Sequence, residues 1–304
     1  MDESKLQSNI QAFRELIQSK RWTIVSEKEV QSGYQLVVTD GATRISINLY
    51  STDKALIQGT ANPLQNELTS WWYERNASST RNAAGRTRIG LDESGKGDYF
   101  GPLVIGAIYV DEQTEPRLIS LGVRDSKLLP DNRILALAEE IKTLCPCSGV
   151  VIEPERYNEV YNKIHNLNLL LARAHAHALE SLLEKVSCDL AIADQFGNES
   201  LLVNALQEKG RKIKLEQRPR AEEDTAVAAA SILARAKFVQ QMEQLSQRVG
   251  KTLPKGAWNP SIVTIGREIV AQYGQSTLAE VAKLHFKTTE TILQGQLDKG
   301  DYPS

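Results

Sequence analysis

Two adjacent carboxylates, Asp92 and Glu93, end the apolar run Arg88-Ile89-Gly90-Leu91, and the chain then enters the turn Ser94-Gly95-Lys96-Gly97. Ionised carboxylates at the end of a buried strand repel each other and lose water, so such a pair calls for a cation. Two later acids occupy comparable positions. Asp194 ends the apolar run Leu190-Ala191-Ile192-Ala193, and Asp224 opens the alanine-rich stretch that reaches Ser231. In an α/β sheet, strand ends and helix starts meet at one edge. Three or four carboxylates gathered there form a hard-oxygen site suited to Mg2+ or Mn2+. Two such ions about 4 Å apart activate water and stabilise a leaving oxygen in phosphodiester cleavage. Each later acid also has a plainer reading: Asp194 as a loop or cap residue, and Asp224 as an N-cap whose charge suits a first helical turn.

Two nucleotide-binding motifs are excluded. Gly90 to Gly97 reads G-x-x-x-x-G-K-G, but glycine follows the lysine where a phosphate-binding loop needs a magnesium-holding hydroxyl, and two acids inside the loop would repel phosphates. Gly95, Gly97 and Gly101 have the wrong last spacing for a dinucleotide fingerprint. The three cysteines, Cys145, Cys147 and Cys188, are odd in number and lack C-x-x-C spacing, which fits a reduced cytoplasmic compartment better than a disulfide framework or a zinc ribbon. His175 and His177 lie two apart on a helix and point to different faces. No apolar run approaches the roughly 20 residues needed to span a bilayer. A formal net charge of -2 leaves any nucleic-acid partner to local basic patches, such as Arg211, Lys212, Lys214, Arg218 and Arg220.

The elements that must position these residues follow from periodicity. Leu6, Ile10, Phe13 and Ile17 recur at helical spacing. Strands are expected at 23–26, 34–39, 44–50 and 55–59, with Asp40-Gly41 as turn chemistry, and a helix from Pro63 to Tyr73. This gives a small α+β domain over 1–75 with one covered sheet face and one open to an extended ligand. The small, polar segment 76–87 reads as a linker. The domain 88–304 is a mixed sheet flanked by helices, with strands at 89–93, 102–110, 149–153, 190–194 and 211–216. Its helices are expected at 133–144, 167–186, 199–209, 223–247, 261–273 and 277–286.

At this point the motifs are recognisable. Leu91 to Pro102 (LDESGKGDYFGP), Asp125 to Leu128 (DSKL), Asp194-Gln195-Phe196, Asp224 to Arg235 (DTAVAAASILAR) and His285 to Thr289 (HFKTT) stand in the family's order. The chain resembles the type 2 ribonucleases H, and within them the HIII group. The resemblance implies an RNase H-like α/β fold and endonucleolytic hydrolysis of the RNA strand of RNA/DNA hybrids, leaving 5'-phosphate and 3'-hydroxyl ends. It places the family's four catalytic and metal-binding acids on Asp92, Glu93, Asp194 and Asp224, with two Mg2+ or Mn2+ ions.

The lysine between Gly95 and Gly97 is the HIII form of the turn. The extra N-terminal domain also agrees, since that group carries a substrate-binding domain resembling half of a TATA-box-binding protein. Ser94, Gly95, Lys96 and Gly97 are expected to hold phosphates and 2'-hydroxyls, with Tyr99, Ser126, Lys127 and Ser231 as further substrate contacts. Two alternatives stand beside this reading: cleavage at single ribonucleotides embedded in DNA, as in the HII group, and a catalytically silent hybrid-binding protein. A monomer without a membrane partner is the default.

Overall fold

The computed structural model describes residues 3–30, 33–50, 54–58, 62–76, 86–123, 126 and 129–297. The chain divides into two compact units, Met1–Asn82 and Ala83–Ser304. Most of the expected linker, residues 77–85, lies outside the described residues, and so does Lys127. Among the described residues, no helix is long and apolar enough to cross a membrane.

The first unit runs α1 (Glu3–Ser19), β1 (Thr23–Val30), β2 (Gly33–Thr39), β3 (Arg44–Tyr50), β4 (Lys54–Gln58) and α2 (Pro63–Asn76). The strands form an antiparallel meander in sequence order. Period-two alternation sends Leu36, Val38, Ile45, Ile47 and Leu49 to the face covered by the helices, where they meet Ile10, Phe13, Leu64 and Leu68. Phe13 stacks on Trp72 at 5.3 Å. The alternate residues carry a row of amides on the opposite face. Gln35 Nε2 donates to Asn48 Oδ1 at 2.8 Å, and Asn48 Nδ2 donates to Gln58 Oε1 at 3.3 Å.

The second unit is built on a five-stranded sheet of order β7-β6-β5-β8-β9, comprising β5 (Arg88–Ser94), β6 (Leu103–Val110), β7 (Cys147–Ile152), β8 (Leu190–Asp194) and β9 (Lys214–Arg218). β5 is central, antiparallel to β6 and parallel to β8. The helices are α3 (Glu115–Ser120), α4 (Asp131–Leu144), α5 (Pro154–Ile164), α6 (Leu167–Leu183), α7 (Glu199–Ala205), α8 (Thr225–Arg248), α9 (Ser261–Tyr273), α10 (Gln275–Val281) and α11 (Thr288–Leu297).

Helix α6 packs on one sheet face through Leu170, Leu171, Ala174 and Ala178 against Ile89, Leu91 and Ile105. Helix α8 lies on the other face, and its alanines let it come close. A Cβ at Gly90 would stand 2.1 Å from the Ala226 carbonyl carbon, and one at Gly106 2.4 Å from the Ala230 oxygen. Alanine at either position would push the helix off the sheet.

Several expected boundaries shift. The helix expected at 199–209 stops at Ala205, and a 3-10 turn at Gly210–Lys212 delays β9 to Lys214, because the Glu180 carboxylate draws in the loop amides of Gln207 and Gly210. The helix expected over 277–286 ends at Val281. Beyond it Ala282 bridges Phe100 and the Lys283 amide donates to the Tyr99 carbonyl, so this stretch is drawn out beside the glycine-rich turn. Helices α3, α5 and α11 were not expected from the periodicity.

Candidate active site

Strand β5 delivers Asp92 and Glu93 to the sheet edge where β8 ends in Asp194. The parallel register pairs Leu91 with Ala193, so Asp92 and Asp194 occupy the next rung. Asp92 accepts the Glu93 amide on Oδ1 at 2.8 Å. Burial, and then the Glu93 charge, push the Asp92 carboxyl up to about 7, with Asp194 adding to the rise; hydrogen bonds from the Ser231 hydroxyl and the Glu93 amide pull the other way. Glu93 differs. Burial raises its carboxyl too, but contacts with His175 and Lys96 outweigh this and hold it below its ordinary value.

His175 Nε2 lies 3.1 Å from Glu93 Oε2, and Lys96 Nζ lies 3.4 Å from Glu93 Oε1. The imidazole is fully buried, and its Nδ1 has no hydrogen-bond partner among the described residues. An ionised carboxylate only accepts, so the proton sits on Nε2 and is donated to Glu93. Phe196 closes the group, with its ring 4.9 Å from that of His175 and 5.9 Å from Lys96 Nζ. His177 is exposed on the other side of α6.

The hydrogen bonds of Asp224 run to the start of β5 and of α8 rather than to these three acids. Both its oxygens accept from Arg88 Nε at 2.9 Å, and Oδ1 also caps α8 through the Ala226 amide. Arg88 is 1% exposed, and its other nitrogens reach Glu115. Ser231, which reaches Asp92, lies seven residues along α8 from Asp224, a rise of about 10 Å. The capping role of Asp224 is therefore realised, with a buried guanidinium already neutralising its charge. The 3-10 turn Ala221–Glu223 that precedes it hangs on Asp194 instead, whose Oδ1 accepts the Ala221 amide at 3.2 Å. That contact leaves Glu222, half-buried, in the turn next to Asp194.

The expected substrate contacts divide. Ser94 and Lys96 are half-buried and Gly97 is exposed, while Gly95 is buried at φ +88°, with its Cβ position only 2.1 Å from the Pro102 oxygen. Tyr99 is fully buried, its hydroxyl 3.2 Å from that of Thr289, so its ring packs into the core and is closed to a sugar or base. Ser126 and Ser231 are both buried and bond each other at 2.8 Å, with Arg235 Nη1 donating to the Ser126 carbonyl at 2.6 Å. Their hydroxyls are spent inside the protein, and Ser231 reaches the site only through Asp92.

Behind the turn, fully buried Lys283 donates to the Asp98 carbonyl at 2.8 Å and the Gly101 carbonyl at 2.6 Å. Burial pushes its amine down to about 7. Neither His175 nor Lys283 was singled out as a site residue from the sequence. The only signal for His175 was its place on the buried face of an apolar helix.

A family model described as Ribonuclease HII matches residues 89–289. A ribonuclease HIII of Chlamydia pneumoniae is 43% identical over 260 residues, covering 83% of this chain and 86% of that one. The chain belongs to the ribonuclease HIII family. The ribonuclease HIII of Protochlamydia amoebophila is 46% identical over 205 residues, 67% of this chain and 68% of its own. Among solved structures, Bst-RNase HIII in complex with Mn2+ matches with a TM-score of 0.70 at 29% identity, covering 95% of this chain and 96% of that one. Aquifex aeolicus RNase H3 matches with a TM-score of 0.56 at 25% identity, covering 92% and 97%. The ribonuclease HIII assignment makes the chain an enzyme of the ribonuclease H class and agrees with its mixed α/β fold.

Proposed function

We propose that this chain is a metal-dependent endonuclease that cuts the RNA strand of RNA/DNA hybrids, leaving 5'-phosphate and 3'-hydroxyl ends. The observation that carries the reading is the crowding of Asp92, Glu93 and Asp194 at one sheet edge, with Asp92 raised to about 7 by burial and by its acidic neighbours.

The donor chemistry fits a divalent cation: every oxygen is hard, and the Asp92 carboxyl is in the state that a cation would reverse. Among the described residues, no three His, Cys, Asp or Glu side chains yet converge closely enough to hold an ion. Glu93 is turned toward His175 and Lys96. Asp92, Glu93 and Asp194 are the proposed ligands, with Glu222 as a fourth in place of Asp224, supported by its position beside Asp194. Bound Mg2+ or Mn2+, two ions in this reading, would supply polarisation of the phosphoryl oxygens. A complex of Bst-RNase HIII with Mn2+ supports that choice of metal.

His175 holds Glu93 in one orientation. The exposed backbone at Gly97, with Lys96, is proposed to grip the phosphates beside the scissile bond, and Lys283 to keep that turn in shape from behind. In the first unit, the amide row Gln35, Asn48 and Gln58 is proposed to face the hybrid as a polar platform; the likeness to half of a TATA-box-binding protein belongs to this proposal.

The test is cleavage of an end-labelled RNA/DNA hybrid in Mg2+ or Mn2+, alongside a DNA duplex with one embedded ribonucleotide. The expected result is metal-dependent cutting within the continuous RNA tract. Preference for the single ribonucleotide would move the chain to the HII type of activity, and absence of metal-dependent cutting would contradict the reading.

A further inference from the structure

Trp258 is 95% exposed, whereas the other exposed large apolar side chains lie between 42% and 54%. An indole left in water contributes nothing to the core, and what gives this one meaning is the loop that carries it and the segments that loop is tied to. The loop that carries it is pinned on both sides of the ring. On one side, Gly256 takes a left-handed turn at φ +85°, accepts the Tyr99 amide at 3.0 Å and donates to Asp98 Oδ1 at 2.6 Å. On the other, Asn259 Oδ1 accepts the Ser261 amide at 3.1 Å and hydroxyl at 2.7 Å. These bonds hold the backbone without the indole.

The same loop joins two segments near the acids. Through Gly256 it is tied to the turn that presents Lys96 and Gly97. Through Lys255 it pairs with Asp131, which also binds Arg235 at 3.0 Å, and Arg235 in turn holds the Ser126 carbonyl. The ring therefore stands solvated on a loop tied on one side to the glycine-rich turn and on the other, through Asp131 and Arg235, to Ser126. Aromatic rings in such settings bind nucleic acid by packing on sugars and bases, and a pre-ordered ring loses little freedom on binding. An A-form-like hybrid offers a wide, shallow minor groove in which those surfaces can be reached.

We propose that Trp258 packs against the sugar–base surface of the bound hybrid and fixes how the duplex lies across the acidic site. This rests on the hybrid reading above and names a contact that reading does not contain.

The experiment uses the full chain with Asp92→Asn, so that the hybrid is bound without being cut, and follows the fluorescence anisotropy of a labelled RNA/DNA hybrid. Adding Trp258→Ala is expected to weaken binding about tenfold, adding Trp258→Phe to weaken it about two- to threefold, and neither to move the thermal midpoint. Acrylamide quenching gives a second readout: hybrid should shield the solvated indole in the parent, and that part of the protection should be missing in Trp258→Ala. Binding by the parent that Trp258→Ala leaves unaltered, with quenching unaffected by hybrid, would overturn the Trp258 assignment alone. No binding by the parent would overturn the hybrid reading and the assignment with it.

Discussion

The two ends of β5 hold two acidic clusters that have been treated in opposite ways. At its start, Arg88 is buried between Asp224 and Glu115 and Arg218 reaches Asp224 at 3.5 Å, so two carboxylates meet two guanidiniums and the cluster is close to neutral. Four residues later, Asp92 and Glu93 lie beside Asp194, and the basic groups in reach are Lys96, at 3.4 Å, and a histidine. The first arrangement holds a helix start against the sheet. The second leaves Asp92 uncompensated, so burial and its acidic neighbours push its carboxyl up to about 7. A buried acid with its cation already in the protein is structural; a buried acid without one waits for a cation from outside.

The sharpest way to break this contrast is at its compensated end. Arg88→Met should strip Asp224 and Glu115 of their buried guanidinium and destabilise the second unit by about 3–5 kcal/mol, read by chemical denaturation. A loss under 1 kcal/mol would mean that the cluster is not buried as described.

At the other end, His175→Ala should free Glu93 from its set orientation. Metal affinity, measured calorimetrically, should fall about tenfold to a hundredfold while the hybrid still binds. Unaltered metal affinity would reduce His175 to a core residue.

A smaller effect concerns pH. The folded state keeps the Asp92 proton to about pH 7, whereas the unfolded chain releases it near the ordinary value of 3.8, so between these values the folded state binds more protons and this group's contribution to stability falls as pH rises. The metal-free thermal midpoint should therefore drop more steeply from pH 4 to 7 in the wild type than in Asp92→Asn, and divalent metal should restore it at pH 7. Parallel slopes in the two proteins would remove Asp92 from the uncompensated cluster.

Much of this was legible in the chain. Asp92-Glu93 at a strand end, Asp194 after an apolar run and the glycine-spaced turn all declare themselves through local pattern, and strands β2, β3 and β8 follow their alternation or their apolar runs. Helix α5 was missed, although Pro154 opens it and Tyr157, Val160, Tyr161 and Ile164 follow helical spacing. What local pattern cannot give is pairing across the chain. Arg88 and Asp224 are 136 residues apart, and only the fold shows that the guanidinium takes both carboxylate oxygens. The same holds for His175 against Glu93, 82 residues apart, and for Lys283 behind Gly101. A titratable residue on an apolar helix face looks like core packing until its partner is known. Asp224 shows the converse: a capping position and a ligand position have the same local signature.

The most direct measurement compares Asp92→Asn with Asp224→Asn for Mn2+-dependent cleavage of an RNA/DNA hybrid, each assayed well below its own unfolding temperature. Asp92→Asn should stay folded and lose about a thousandfold in activity. Asp224→Asn, which keeps an oxygen for the helix cap, should lose about 2 kcal/mol of stability and retain activity within about threefold. Full activity in Asp92→Asn, or an Asp224→Asn protein as stable as the wild type yet inactive, would contradict this division of roles.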